Sequence, residues 1–116
     1  MVRKRSEMQS EIKQRMRNGD GEIEIVHIFR KEELKGKTRL FAKLRLGKDC
    51  SIGYHEHSNE EEIFYVTAGE GIVTEDGKSH PVKVGDAILT GGGAGHAVEN
   101  RGDTPLELLA VILLYE

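Results

Sequence analysis

Apolar and polar residues alternate with a period of two along most of the chain after Gly21. The first such segment covers residues 22–29, and the second covers residues 39–46, where every second residue is Leu or Ala. This period predicts β-strands that have one buried face and one solvated face. Further short strands are predicted at about 51–57, 62–67, 71–75, 80–84, 86–90, 95–100 and 105–115.

Turn signals, most of them containing glycine, separate these segments. Asp76-Gly77 lies between two apolar stretches and favours a two-residue type I′ hairpin turn, and Gly91-Gly92-Gly93 interrupts the chain further on. Many short strands with almost no helical pattern predict an all-β sandwich or barrel, and argue against a parallel α/β sheet.

Residues 1–20 follow a different pattern. Met8, Ile12 and Met16 are spaced four apart, which predicts a weak amphipathic helix over residues 6–17 that ends at Asn18-Gly19. A frayed arm is the alternative, and the spacing does not decide between them. We therefore divide the chain into an N-terminal arm or short helix (residues 1–20) and one β-domain (residues 21–116).

The last predicted strand, residues 105–115, is apolar on both faces. One face carries Leu and Ile residues around Ala110, and the other carries Leu109, Val111, Leu113 and Tyr115. A strand that is apolar on both sides is expected to be buried on both sides. One face therefore belongs to the core, and we expect the other to contact a second subunit in a homodimer.

Composition and charge set limits on the function. The 116 residues suffice for one domain, and 17 Lys and Arg against 20 Asp and Glu give a net charge of −3. This balance argues against a nucleic-acid partner. No apolar run is long enough to span a bilayer, and none follows the basic start Met1–Arg5, so we expect a cytoplasmic protein without a membrane partner. Cys50 is the only cysteine, which excludes an intrachain disulfide.

Two histidines two residues apart begin the chemically informative stretch. His55 and His57 lie on a predicted strand, so their imidazoles project from the same face. A carboxylate early in the returning strand could add a third metal ligand, and three consecutive glutamates, residues 60–62, compete for that role. Parity places Glu62 on one face and Glu61 on the other, but does not say which face is inward, so Glu61 remains the alternative.

A third histidine, His96, follows the glycine-rich loop 91–95 and opens a predicted strand. The loop lacks the Gly-Lys-Ser/Thr pattern and the following helix of a phosphate cradle. Three imidazoles and one carboxylate suit Mn, Fe, Co, Ni, Cu or Zn. The candidates for an apolar wall beside such a metal are Phe64, Val66 and Val98, and the candidates for supporting or acid–base roles are Glu60, Glu61, Tyr54 and Asn100.

These residues resemble the two motifs of the cupin superfamily. His55-x-His57-x4-Glu62-x6-Gly69 is similar to the first motif, and Gly85-x5-Gly91-x-Gly93-x2-His96-x3-Asn100 is similar to the second. Two positions depart from the family pattern: Asp49 stands where the first motif has its upstream glycine, and Gly91 stands where the second has proline. Fifteen residues separate the two motifs, a short spacing similar to that of small bacterial single-domain cupins.

The resemblance implies an all-β fold, a germin-like, cupin-type jelly-roll β-barrel. It implies one divalent transition metal on His55, His57, Glu62 and His96, and a small-molecule ligand or substrate. The first functional hypothesis is a metal-dependent enzyme of the oxygenase, isomerase or lyase type that acts on a small organic acid, carbonyl or sugar-like metabolite. The alternative is a non-catalytic small-molecule-binding module that uses the same barrel.

Overall fold

Ten β-strands form two antiparallel sheets in the computed structural model, which describes residues 1–116. The strands are β1 (Gln9–Gln14), β2 (Glu22–Phe29), β3 (Thr38–Leu46), β4 (Ser51–Glu56), β5 (Glu60–Ala68), β6 (Glu70–Glu75), β7 (Lys78–Lys83), β8 (Ala87–Gly91), β9 (Gly95–Glu99) and β10 (Leu106–Leu114). The larger sheet has the order β1-β2-β3-β10-β5-β8, and the smaller sheet has the order β4-β9-β6-β7. The predicted all-β jelly-roll fold is confirmed, and the nine strands expected after residue 21 are all present.

The core fills the space between the two sheets because one face of each central strand is apolar. Strand β10 lies between β3 and β5 and shows the alternation most clearly. Its inward residues Leu106, Leu108 and Ala110 are fully buried, whereas Leu109 and Val111 on the outer face are half-buried. The second apolar face of this strand is therefore not covered within the single chain.

The helix predicted over residues 6–17 is wrong. Residues Gln9–Gln14 form β1, which pairs antiparallel with β2 at the edge of the larger sheet. All six residues of β1 are exposed, so a helix here would have no apolar face to bury. The edge of β2 instead provides unpaired backbone N–H and C=O groups, with which β1 forms hydrogen bonds. Only three short 3₁₀ turns are helical, at Arg5–Glu7, Met16–Asn18 and Lys31–Glu33. None of them has the length or apolar character needed to cross a membrane.

The turns explain both departures from the cupin motifs. Asp49 adopts a φ of +60°, a left-handed backbone that glycine adopts most readily and that aspartate tolerates better than most residues. A side chain at Gly91 would place its Cβ 2.4 Å from the Cβ of Glu61, so β8 approaches β5 too closely there for any larger residue. The predicted hairpin at Asp76-Gly77 is present, with φ values of +52° and +73°.

Candidate metal site

Four side chains from both sheets converge between them. His55 lies on β4 directly opposite His96 on β9, His57 follows the end of β4, and Glu62 lies on β5 in the other sheet. Their potential ligand atoms all lie within 4.8 Å of one another, so the group could hold a metal ion. His57, Glu62 and His96 are buried, and His55 is half-buried.

The spacing of these atoms matches a metal coordination shell. The Nε2 atom of His96 is 3.1 Å from Nε2 of His57 and 3.2 Å from Nε2 of His55. The Oε1 atom of Glu62 is 2.9 Å from Nε2 of His57 and 3.0 Å from Nε2 of His96. Two ligands at right angles on a metal with bonds of about 2.1 Å lie about 3.0 Å apart. These four separations therefore match those between neighbouring ligands of a first-row divalent metal.

Hydrogen bonds on the far side of two imidazoles fix where their protons lie. The Nδ1 atom of His55 lies 2.8 Å from the carbonyl oxygen of Gly53, which can only accept, so this nitrogen carries the proton. His57 donates from Nδ1 to the carboxylate of Glu60 at 2.5 Å. In the neutral imidazoles, both Nε2 atoms are therefore left with lone pairs that face the centre of the group.

Nδ1 of His96 also carries the ring proton, because two hydrogen bonds in series connect it to a carboxylate. The hydroxyl of the buried residue Thr90 donates to the carboxylate of Glu75 at 2.9 Å and accepts from Nδ1 of His96 at 3.0 Å. When all three imidazoles are neutral, three nitrogen lone pairs and the carboxylate of Glu62 face one another without a proton between them; in the metal-free protein, a proton on Nε2 of His57 that is shared with Glu62 relieves this repulsion. Such a set of electron-rich atoms repels itself unless a cation lies among them, so the donor set fits a divalent metal.

An arginine extends the support behind His57. Arg39 donates from Nε and Nη2 to the two carboxylate oxygens of Glu60, at 2.8 and 2.9 Å. The hydrogen bonds from Arg39, together with the bond to His57, lower the pKa of Glu60 to about 2, so it remains a carboxylate. The hydrogen bond to Glu62 raises the pKa of His57 in the metal-free protein, while burial lowers the pKa of His55.

A cavity of about 180 Å³ opens beside the four residues. The ring of Phe64 lines it and stacks on the imidazole of His96, with ring centres 4.8 Å apart. His27 and Glu11, whose side chains lie 3.2 Å apart, line the cavity together with two arginines, Arg17 and Arg39. The remaining lining is largely aliphatic, from Met16, Ile25, Leu40, Leu44, Ile52 and Ile112.

The structure shows which of the candidate supporting residues contact the four-residue group and which do not. Glu60 contacts His57, and Glu62 rather than Glu61 faces inward. Tyr54 is exposed, and the buried Asn100 donates to the backbone carbonyls of Leu46, Gly47 and Thr104, where it holds loops together away from the four residues. Of the three apolar candidates only Phe64 lines the cavity, because Val66 and Val98 pack within the core.

Several residues of the site carry no signal in the sequence. Arg39 occupies a β-bulge, since β10 pairs Ile112 with Leu40 and the next residue, Leu113, with Thr38. The bulge interrupts the alternation of β3, and both Arg39 and Leu40 line the cavity. Thr90 and Glu75 meet only because β6 and β8 come together in the fold. No spacing rule reveals either arrangement.

Known proteins resemble this chain in sequence. A family model described as the cupin domain matches residues 43–112. The oxalate-binding protein of Thermotoga maritima is 45% identical over 114 residues, which cover 98% of this chain and 94% of that protein. An uncharacterised protein of Methanocaldococcus jannaschii is 40% identical over 90 residues, which cover 78% of this chain and 71% of that protein.

Solved structures share the fold. A crystal structure described as a predicted oxalate decarboxylase from Thermotoga maritima has a TM-score of 0.93 and 45% identity, and the match covers 98% of this chain and 99% of that one. The polyketide cyclase RemF from Streptomyces resistomycificus has a TM-score of 0.80 at 18% identity, covering 100% of this chain and 80% of that one. The second likeness concerns the fold alone.

Proposed function

This chain belongs to the cupin-domain family, and we propose that it binds one divalent transition metal on His55, His57, Glu62 and His96 and holds a small organic acid of the oxalate type on that metal. One observation carries the proposal: three Nε2 atoms and one buried carboxylate converge beside a small cavity, which His55, His57 and Glu62 line. Mn, Fe, Co, Ni, Cu and Zn all suit this donor set.

The charge and size of the site support a small anionic chelator. A bound divalent metal supplies Lewis acidity and further coordination positions for the ligand. Glu62 alone neutralises one of its two charges, so the site keeps a net charge of about +1 and attracts anions. A cavity of about 180 Å³ is smaller than the roughly 300–1,000 Å³ typical of sites for drug-sized ligands. The name of the Thermotoga relative, oxalate-binding protein, agrees with both features.

Conversion of the bound acid is the second candidate function, which corresponds to an enzyme of the lyase type. The His27–Glu11 pair lines the same cavity, so an imidazole and a carboxylate at hydrogen-bond distance face the ligand space. The solved relative described as a predicted oxalate decarboxylase favours this candidate. Binding of the acid is common to both functions, and is therefore the primary proposal.

We also propose that two copies pair through the outer face of the larger sheet. Val111 lies between Phe41 and Ile63 on neighbouring strands, and Ile63 lies opposite Leu89, which is 60% exposed. These residues form a continuous apolar surface that the single chain leaves uncovered. Light scattering after size exclusion is expected to give twice the chain mass for the wild type and the chain mass for Leu89→Asp. A monomeric wild type would contradict this pairing.

Calorimetry with and without metal tests the primary proposal. Oxalate is titrated into protein stripped of metal and into samples of the same protein reloaded separately with each of the six metals Mn, Fe, Co, Ni, Cu and Zn. We expect binding heat only in a reloaded sample. Equal oxalate binding by the stripped protein, or none with any of the six metals, would contradict the proposal. The disappearance of oxalate from the reloaded samples, measured with and without O₂, then separates turnover from binding.

A further inference from the structure

The two arginines that line the cavity are in different electrostatic states. Arg39 is bound through two hydrogen bonds to Glu60, so its charge is already balanced. Arg17 is exposed and lines the same cavity, but it makes no ion pair and no side-chain hydrogen bond. Of the two arginines that line the cavity, Arg17 is therefore the one whose charge no protein carboxylate neutralises.

The backbone that positions Arg17 is strained. Arg15, Arg17 and Asn18 have φ values of +48°, +54° and +64°, a left-handed conformation that is unfavourable for residues with a Cβ. The turn lies directly on β4, the strand that carries His55. A Cβ at Gly53 would lie 1.9 Å from the carbonyl oxygen of Arg17, so only glycine allows this contact. The fold thus tolerates an unfavourable backbone in the turn that brings Arg17 to the lining of the cavity.

Charge balance indicates what Arg17 contacts. A divalent metal together with Glu62 and a dicarboxylate dianion carries one net negative charge inside a partly buried cavity. With a monocarboxylate the same assembly is neutral. Charge in a partly buried cavity is costly unless a counter-charge lies nearby, so a dianion gains from a free guanidinium at the mouth and a monoanion gains less.

We propose that Arg17 is the specificity-determining residue of this site: its guanidinium binds the carboxylate of a metal-held dicarboxylate and so selects dianions over monoanions. This inference rests on the proposed function, because it requires that the four-residue group holds a metal and an organic acid. A planar guanidinium with several donors suits bidentate recognition of a carboxylate. The turn that carries Arg17 lies outside both cupin motifs, and on this proposal it determines which organic acids the site prefers.

Substitution of Arg17 beside its neighbour Arg15 tests the assignment. Arg15 has the same charge, the same turn and the same left-handed backbone, but does not line the cavity. Oxalate and glycolate are titrated calorimetrically into metal-loaded wild type, Arg17→Gln, Arg17→Lys and Arg15→Gln, with metal content and melting temperature measured for each. We expect Arg17→Gln to lose about tenfold in oxalate affinity and clearly less in glycolate affinity, at unchanged metal content. Arg17→Lys retains part of the oxalate affinity, and Arg15→Gln resembles the wild type.

The outcomes distinguish this inference from the proposed function. If metal-loaded wild type binds no oxalate, the proposed function fails and this inference fails with it. If the wild type binds oxalate and Arg17→Gln binds it equally well, only the role of Arg17 is wrong. Equal losses in Arg17→Gln and Arg15→Gln would also overturn the inference, because they would show a general effect of charge rather than a contact. Equal losses for oxalate and glycolate would overturn the claimed selectivity.

Discussion

The inner and outer ends of one cavity are built by different means. At the inner end, Glu62 and His96 lie on regular stretches of strand whose parity fixes the direction of each side chain, and His55 pairs with His96 just after a register shift in β4. At the outer end, Arg17 lies on a left-handed turn that depends on close contact with Gly53, a residue distant in sequence. Periodic local structure therefore supplies the metal-binding group, whereas the proposed selectivity depends on tertiary contacts that hold a strained turn.

Gly53→Ala is expected to separate the two ends most strongly. The added methyl group would overlap the carbonyl oxygen of Arg17, so the turn must move away from β4. We expect the free energy of unfolding to fall by about 2 kcal/mol and the oxalate affinity to fall with it. The metal affinity is expected to fall less, because the backbone carbonyl of residue 53 that accepts from His55 is retained in the variant. Gly36→Ala is the matched control, since a Cβ there meets nothing closer than 3.9 Å. Denaturant unfolding curves indistinguishable between Gly53→Ala and the wild type would show that the turn does not depend on this contact.

Glu60→Gln tests whether the carboxylate behind His57 strengthens metal binding at the inner end. Glutamine can still accept the hydrogen bond from His57, but the lost charge makes that imidazole a weaker ligand. We expect the metal affinity to fall by about tenfold, measured by competition with a chromophoric chelator. Glu61→Gln serves as the control because Glu61 precedes the buried Glu62 on β5 and so lies on the opposite face. Equal metal affinities in Glu60→Gln and Glu61→Gln would show that Glu60 does not strengthen His57 as a ligand.

The sequence predicts the inner end better than the outer end for a physical reason. A strand period of two places His55 and His57 on one face, and the family resemblance selects Glu62 over Glu61. The same reasoning predicted a helix or a frayed arm for residues 6–17 and missed strand β1, because apolar residues at a spacing of four do not show that this segment pairs with the free edge of β2. Bulges and left-handed turns interrupt local periodicity, so the cavity positions of Arg39 and Arg17 followed only from the three-dimensional structure.

A change of pH is expected to alter metal binding at the inner end but not the contribution of Arg17 to oxalate binding at the outer end. Because the hydrogen bond to Glu62 raises the pKa of His57, protons compete with the metal for this imidazole already above its ordinary pKa of 6.5. Metal affinity should therefore fall as the pH falls through the raised value, by less than tenfold per pH unit for a single proton. The ratio of oxalate affinities between wild type and Arg17→Gln, both saturated with metal, should stay constant, because a guanidinium does not titrate there. A metal affinity independent of pH between 8 and 6 would contradict this account of His57.

Elemental analysis of the natively purified protein beside His57→Ala tests the central claim most directly. His80→Ala is the control, since His80 is an exposed histidine on β7 outside the four-residue group. We predict about one transition metal ion per chain in the wild type and in His80→Ala, and less than about a tenth of that in His57→Ala. A folded His57→Ala protein with the full metal content of the wild type would contradict the assignment of this group as the metal site.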